Sequence, residues 1–324
     1  MRRLLTTTAA LLALAAPLLV TAPSNAAPAD VVIKPGALKR GPDIADAHLE
    51  GTTIRDGDVT VRLKAARAIL YGKWNDFYVV ATGDREWGDV KLWRVSATGV
   101  AKRLAKFIDP FNTDLDADAG LVAYSYGDST SKPTIAVYDL EEQAETSANA
   151  FASLPTLLDF DEGTVVATFS SFKVKTITWD IVFNETVKLN NKRGNFASVV
   201  HDLLGYYSKD PFNGGCQVLT HLDDPADELW TNCDERIEAL SPDGKRVATI
   251  ALLGDGIGPA DVMVRKIGGA PVAHYSINGY FGRIWWETPT KLLMESNGRT
   301  QSATVRCKVA LCNRATDLAP TPDL

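Results

Sequence analysis

The sequence predicts an all-β protein, a β-propeller of about seven four-stranded blades, with six clear repeats and a shorter N-terminal unit. Three observations lead there. Segments reading strand, polar turn, strand recur six times, their turns keep a period in the low forties, and a third apolar strand follows each turn at a near-constant distance. Repeats of that length, holding several short strands each, are what propeller blades require.

The first observation rests on IEALSPDGKRVATI, residues 237 to 250, which is an apolar strand, a Ser-Pro-Asp-Gly turn and a second apolar strand. Its companions are KWNDFYVVATG, DLDADAGLVAYS, LLDFDEGTVVATF, SVVHDLLGYYS and IWWETPTKLLMES. With Asp76, Asp118, Asp161, Asp202, Asp243 and Pro289 as turn markers, the spacings are 42, 43, 41, 41 and 46 residues. The third strands open at Lys91, Thr134, Thr176, Cys216, Asp261 and Thr304, 14 to 18 residues after their markers. Their alternating or β-branched apolar residues make them strands. More polar fourth segments follow, such as AKRLAKF and AETSANAF, as suits an outer edge facing water. Independent hairpins would explain the turns but not this common register, and helical solenoids need an apolar period of 3.6, which is absent.

Ahead of the first marker, HLEGTTIRDGDVTVRL, residues 48 to 63, reads as a hairpin turning at Arg55-Asp56-Gly57-Asp58. It is either a shortened seventh blade or extra strands completing six. The length of chain from 31 to 66 favours seven.

The chain opens with Arg2 and Arg3, an apolar run from Leu4 to Val20 and small residues up to Ala26, the layout of a secretory signal peptide. A membrane anchor fits less well, because the run is short and holds Thr6 to Thr8 and Pro17. The expected organisation is therefore a signal peptide over 1–26, an N-terminal linker over 27–46 and a single propeller domain over 47–324, secreted or extracytoplasmic after cleavage. The net charge of −6 and the scattered Lys and Arg point away from nucleic acid, and no later stretch is long enough for membrane insertion. An even set of four cysteines in an exported chain favours disulfides. With the strands placed, Cys216 and Cys233 bracket one hairpin and Cys307 and Cys312 another, so the expected pairs are Cys216 with Cys233 and Cys307 with Cys312.

SPDGKRVAT followed by DVMVRKI resembles the repeat of TolB-type propellers, and TIAVYDL and KLWRV are similar to the third strand of WD repeats. Recurrent Gly-His and Trp-Asp pairs of the WD pattern are lacking. The resemblance implies an exported bacterial propeller that binds other molecules, and it supplies no catalytic motif.

The chemistry-bearing residues do not form a recognisable catalytic set. DLDADAG, residues 114 to 120, resembles a calcium loop but carries Ala119 where glycine is needed and Ser125 where a glutamate is needed. The four histidines fall at unlike positions, His201-Asp202 being the nearest to an acid-base pair, and no Gly-x-Ser-x-Gly elbow is present. No metal or cofactor is therefore expected. What recurs is Arg and aromatic side chains in the loops of one face: Arg85, Trp87, Phe111, Phe212, Tyr280, Phe281 and Arg283. Such residues dominate binding hot spots. The expectation is a monomeric, non-catalytic scaffold that recognises a protein, peptide or glycan. The rival is a lyase- or hydrolase-type enzyme at the channel mouth, which would gather three or more of His201, His274, Asp89, Asp210 and Asp255 in one pocket.

Overall fold

Short β-branched and aromatic runs separated by tight polar turns leave each segment only one way to bury its apolar side, which is pairing with its sequence neighbour. The computed structural model describes residues 27–127, 131–170, 173–254 and 256–322, and over these the chain is a seven-bladed β-propeller. The expected signal peptide over 1–26 and Asp255 lie outside the described residues.

Blade 1 is the three-stranded sheet His48–Glu50, Thr53–Asp56 and Val59–Arg62. Blades 2 to 5 are four-stranded meanders spanning 67–106, 108–150, 155–190 and 193–232. Blade 6, spanning 235–277, gains a fifth strand when Ala29–Ile33 pairs in parallel with Pro271–Ile277 at its outer edge. Blade 7 runs from Gly279 to Arg314, and the short strand Ala319–Pro320 pairs with its third strand, Gln301–Lys308. The third strands begin at Lys91, Thr134, Lys175, Gln217, Asp261 and Gln301, within a few residues of the positions expected from the repeat.

The core lies between blades. In the second strands, four consecutive residues are buried in Tyr78–Ala81, Val122–Ser125 and Val165–Thr168, so both faces of the sheet are covered. Outer strands such as Ala101–Lys106 are mostly exposed. Apolar clusters join blade 2 to 3 through Val79, Leu92 and Tyr124, blade 3 to 4 through Ile135, Phe160 and Trp179, and blade 6 to 7 through Tyr275, Phe281 and Trp286. Burying each such side chain contributes about 1.5–3 kcal/mol.

Polar side chains stitch the innermost strands together. Each of the six complete blades carries a register shift in its innermost strand, and near the shifts of blades 4, 5 and 6 backbone donors are satisfied by side chains of the blade before. Asn112 accepts from Leu157 N at 3.0 Å, Asp114 from Phe160 N at 3.0 Å, Asp159 from Val199 N at 2.6 Å and Gln217 from Ile237 N at 2.6 Å. Bulges that bend a strand while side chains hold the freed amides are a common solution at tight radii.

Both expected disulfides are formed, Cys216 with Cys233 and Cys307 with Cys312, the second pair facing each other in register across the last hairpin.

Candidate functional site

Where blade 7 meets blade 1 the packing rule of the other interfaces breaks. One face of blade 7, with Phe281, Ile284, Trp286, Leu292 and Met294, packs into the apolar cluster shared with blade 6. Strand alternation sends Arg283, Trp285, Glu287, Glu295, Asn297, Thr304 and Arg306 to the opposite face, toward blade 1. The apolar cluster left at this seam is small: Ile44, Leu293 and Ala315, with Trp285 against it.

The missing strand of blade 1 explains the break. Each complete blade starts innermost and ends outermost, and the chain then drops to the innermost strand of the next blade. Val59–Arg62 leads straight to Arg67–Trp74, the innermost strand of blade 2, so it is outermost, and His48–Glu50 takes the second position. Asp56, ending the middle strand, is bonded to Lys73 Nζ at 2.7 Å and Tyr78 Oη at 2.8 Å beside the first turn of blade 2, which fixes that direction. Among the described residues, blade 1 therefore lacks its innermost strand.

A cleft of about 870 Å³ opens there. Blade 7 lines it with Arg283, Trp285, Glu295, Asn297 and Thr304, and blade 1 with His48, Leu49, Glu50 and Arg55. Most of its charges are matched: Arg55 Nε bonds Glu50 at 2.9 Å, and Arg40 pairs with Asp43 and with Asp317 at 3.0 Å. Arg283 differs. Its guanidinium stacks over the Trp285 ring at 5.1 Å and makes no hydrogen bond or ion pair among the described residues; only its backbone N–H donates, to Glu295 at 3.0 Å. Crowding by protein lowers its pKa against the pull of the Glu295 charge. An unmatched cation over an aromatic face, beside open space, is suited to a ligand carrying an anionic or hydrogen-bonding group.

The other expected contact residues are dispersed. Trp87 and Phe111 meet edge to face at 5.7 Å across blades 2 and 3, with Phe111 70% exposed and Arg85 exposed nearby in sequence. Phe212 is 75% exposed in the turn Pro211–Asn213, which Asp210 caps through Phe212 N. Tyr280 is half-buried against Gly258. Phe281 is fully buried in the core and offers no surface. Trp285, Glu295, Asn297 and His48 were not singled out by the sequence. The available signal was Glu295 itself, a charge in a second strand whose matching residues Ser125 and Thr168 are buried.

The residues that an enzyme would gather have separate local partners. Asp89 pairs with Lys91, Asp210 caps its own turn, and His274 sits between Asp30 at 3.0 Å and Asp261 at 2.9 Å. Asp202 bonds His221 at 2.8 Å rather than its neighbour His201, whose ring lies against Gly244. Among the described residues, Asp202, His221 and Asp223 keep their donor atoms within 4.8 Å of one another and are the group that could hold a cation. Asp202 is already engaged, accepting from His221 and from Asp223 N at 2.9 Å. In the sequence 114 to 120, Asp114 and Asp116 accept backbone N–H groups of blade 4, which gives them a structural use.

The fold and cleft define a seven-bladed propeller with an incompletely closed ring. Comparison with solved structures supports the propeller fold. A Pyrococcus horikoshii acylaminoacyl peptidase superposes with a TM-score of 0.54 at 11% identity over 77% of this chain, and this chain spans only 46% of the peptidase. The β-propeller domain of the Trilobed protease from Pyrococcus furiosus, described as having an open velcro topology, gives 0.51 at 10% identity, covering 78% of this chain and 84% of that one. A chain of a mitotic checkpoint complex gives 0.56 at 12% identity, covering 80% and 85%. No protein-family model and no curated protein sequence matches.

Proposed function

We propose that this chain is an exported, non-catalytic recognition scaffold that binds a protein, peptide or glycan in the cleft between blades 7 and 1. The observation that carries this reading is Arg283, an unmatched cation stacked on Trp285 and facing a cleft of ligand size. Arg283 is solvent-exposed at the cleft and held by its stack on Trp285, so it can accept a ligand carboxylate without first breaking an ion pair. Two disulfides accord with an oxidising compartment, and no helix of the described residues is long and apolar enough to cross a membrane. Peptidase propellers and a checkpoint assembly share the fold, so the fold does not choose the ligand. The exposed Phe111 and Phe212 are further contact positions for a large partner.

The test is binding of the purified chain to a random peptide array and to a glycan array. The Arg283→Ala/Trp285→Ala variant, checked for unchanged thermal unfolding, is expected to lose its hits by about tenfold or more in affinity. Full retention of every hit by that variant overturns the site.

A further inference from the structure

We propose that the seam is a strand-acceptor slot, in which an extended peptide lies alongside Leu49 as the missing innermost strand of blade 1 and sets an acidic side chain against Arg283. This rests on the recognition reading above and names its ligand class and binding mode.

The edge is available. Among the described residues, His48–Glu50 pairs only with Thr53–Asp56, in the register His48 with Arg55, Leu49 with Ile54 and Glu50 with Thr53. The two residues Gly51 and Thr52 close this hairpin, so Glu50 and Thr53 form the hydrogen-bonded pair next to the turn. Alternation then turns the N–H and C=O of Leu49 away from Thr53–Asp56, toward the vacant position. An open edge of this kind is a template for another strand.

The space and chemistry agree with that occupant. The cleft of about 870 Å³ lies within the range of ligand sites, and both Leu49 and Arg283 line it. A peptide of roughly six residues, about 20 Å of extended chain, would match the innermost strands of the other blades. Its side chains would alternate, one row facing the polar side of blade 7. Arg283 and Trp285 stand there on the neighbouring innermost strand, Gly279–Thr288. Of the carboxylates at the cleft, Glu50, Asp43 and Asp317 have arginine partners, and among the described residues Glu295 accepts only the backbone N–H of Arg283, so Arg283 is the cleft arginine still open to an added carboxylate.

Two libraries of acetylated, amidated hexapeptides test this, identical except for a fixed Glu or a fixed Lys at the third position. The full chain is expected to select binders from the Glu library at about tenfold higher affinity, a preference that Arg283→Gln abolishes. N-methylation at alternate residues of the best binder is expected to cost about tenfold and at the intervening ones little, because only one set of amides reaches Leu49. Hydrogen exchange at residues 48–50 should slow on binding. Peptides that bind yet tolerate N-methylation everywhere, or leave 48–50 unprotected, overturn strand addition while recognition stands. Glycan binding with no peptide binding has the same consequence. If neither array yields a ligand, both readings fall.

Discussion

Arg306 and Glu287 face each other through two hydrogen bonds of 2.6 Å, Nε to Oε2 and Nη2 to Oε1, with side chains only 7% and 3% exposed. The same guanidinium donates to the carbonyls of Pro42 and Asp43 at 2.9 Å, and Glu287 accepts from Ala45 N at 3.1 Å. Burial pushes the Glu287 carboxyl up, but Arg306 and the Ala45 amide outweigh it and hold it below the usual range. The pair thus fastens the N-terminal segment to blade 7, where no strand pairing joins blades 1 and 7.

Removing one partner strands a buried charge. Glu287→Gln is expected to destabilise the chain by about 3–5 kcal/mol in urea unfolding. It should also open residues 42–45 to limited proteolysis before global unfolding. An unchanged midpoint and cleavage pattern would show that the segment is held by other contacts.

The disulfides close loops of different lengths, with sequence separations of 17 and 5. On chain-entropy grounds Cys216–Cys233 contributes about 3 kcal/mol and Cys307–Cys312 about 2 kcal/mol. The double variant Cys216→Ser/Cys233→Ser should therefore unfold at lower denaturant than Cys307→Ser/Cys312→Ser. The reverse order would mean that native-state packing, rather than loop closure, sets the effect.

Asp202 raises the pKa of His221 through their hydrogen bond, with the charges of Asp227 and Asp223 adding to it. Asp202 has φ of 52°, a left-handed conformation that asparagine tolerates, so Asp202→Asn keeps the turn while removing the charge. The His221 pKa, followed by NMR, is expected to fall toward its ordinary value. No change would show that the ring is not charge-paired in solution.

The repeat was legible because local pairing creates it: each turn marker and third strand depends on residues a few positions apart, and the two disulfides lie within single hairpins. The seam was not, since its contacts join residues such as Arg306 and Pro42, 264 positions apart, and no local pattern announces a missing innermost strand. Arg283 was picked out as a loop residue and lies in the cleft, although within the strand Gly279–Thr288. Phe281, two positions earlier, points into the core instead, because the register shift between Phe281 and Ile284 decides which face each side chain takes. Ile284-Trp285-Trp286 reads as uniformly apolar, yet alternation gives Trp286 to the core and Trp285 to the cleft.

Asp114 and Asp159 lie on the innermost strands of blades 3 and 4, and burial raises their carboxyls to about 6 and about 7. For Asp159 the charge of Asp114 adds to burial, while the Val199 amide partly offsets it. A carboxyl whose folded pKa exceeds its unfolded value near 4 favours folding while protonated. That contribution is complete below about pH 4 and is lost as pH rises through 6 to 7. Stability is therefore expected to fall between about pH 4 and about pH 7, by an amount on the order of 2 kcal/mol after allowing for partial solvent access. Carboxylates held low by partners, such as Glu287 and Asp56, act in the opposite sense, only at the foot of this window and below it. Asp159→Asn keeps an oxygen for the Val199 amide without the charge, so it should unfold at higher urea than the parent at pH 8, match it near pH 4 and flatten the profile. A variant whose profile stays parallel to the parent across the range would remove these two carboxyls as the source of the pH dependence.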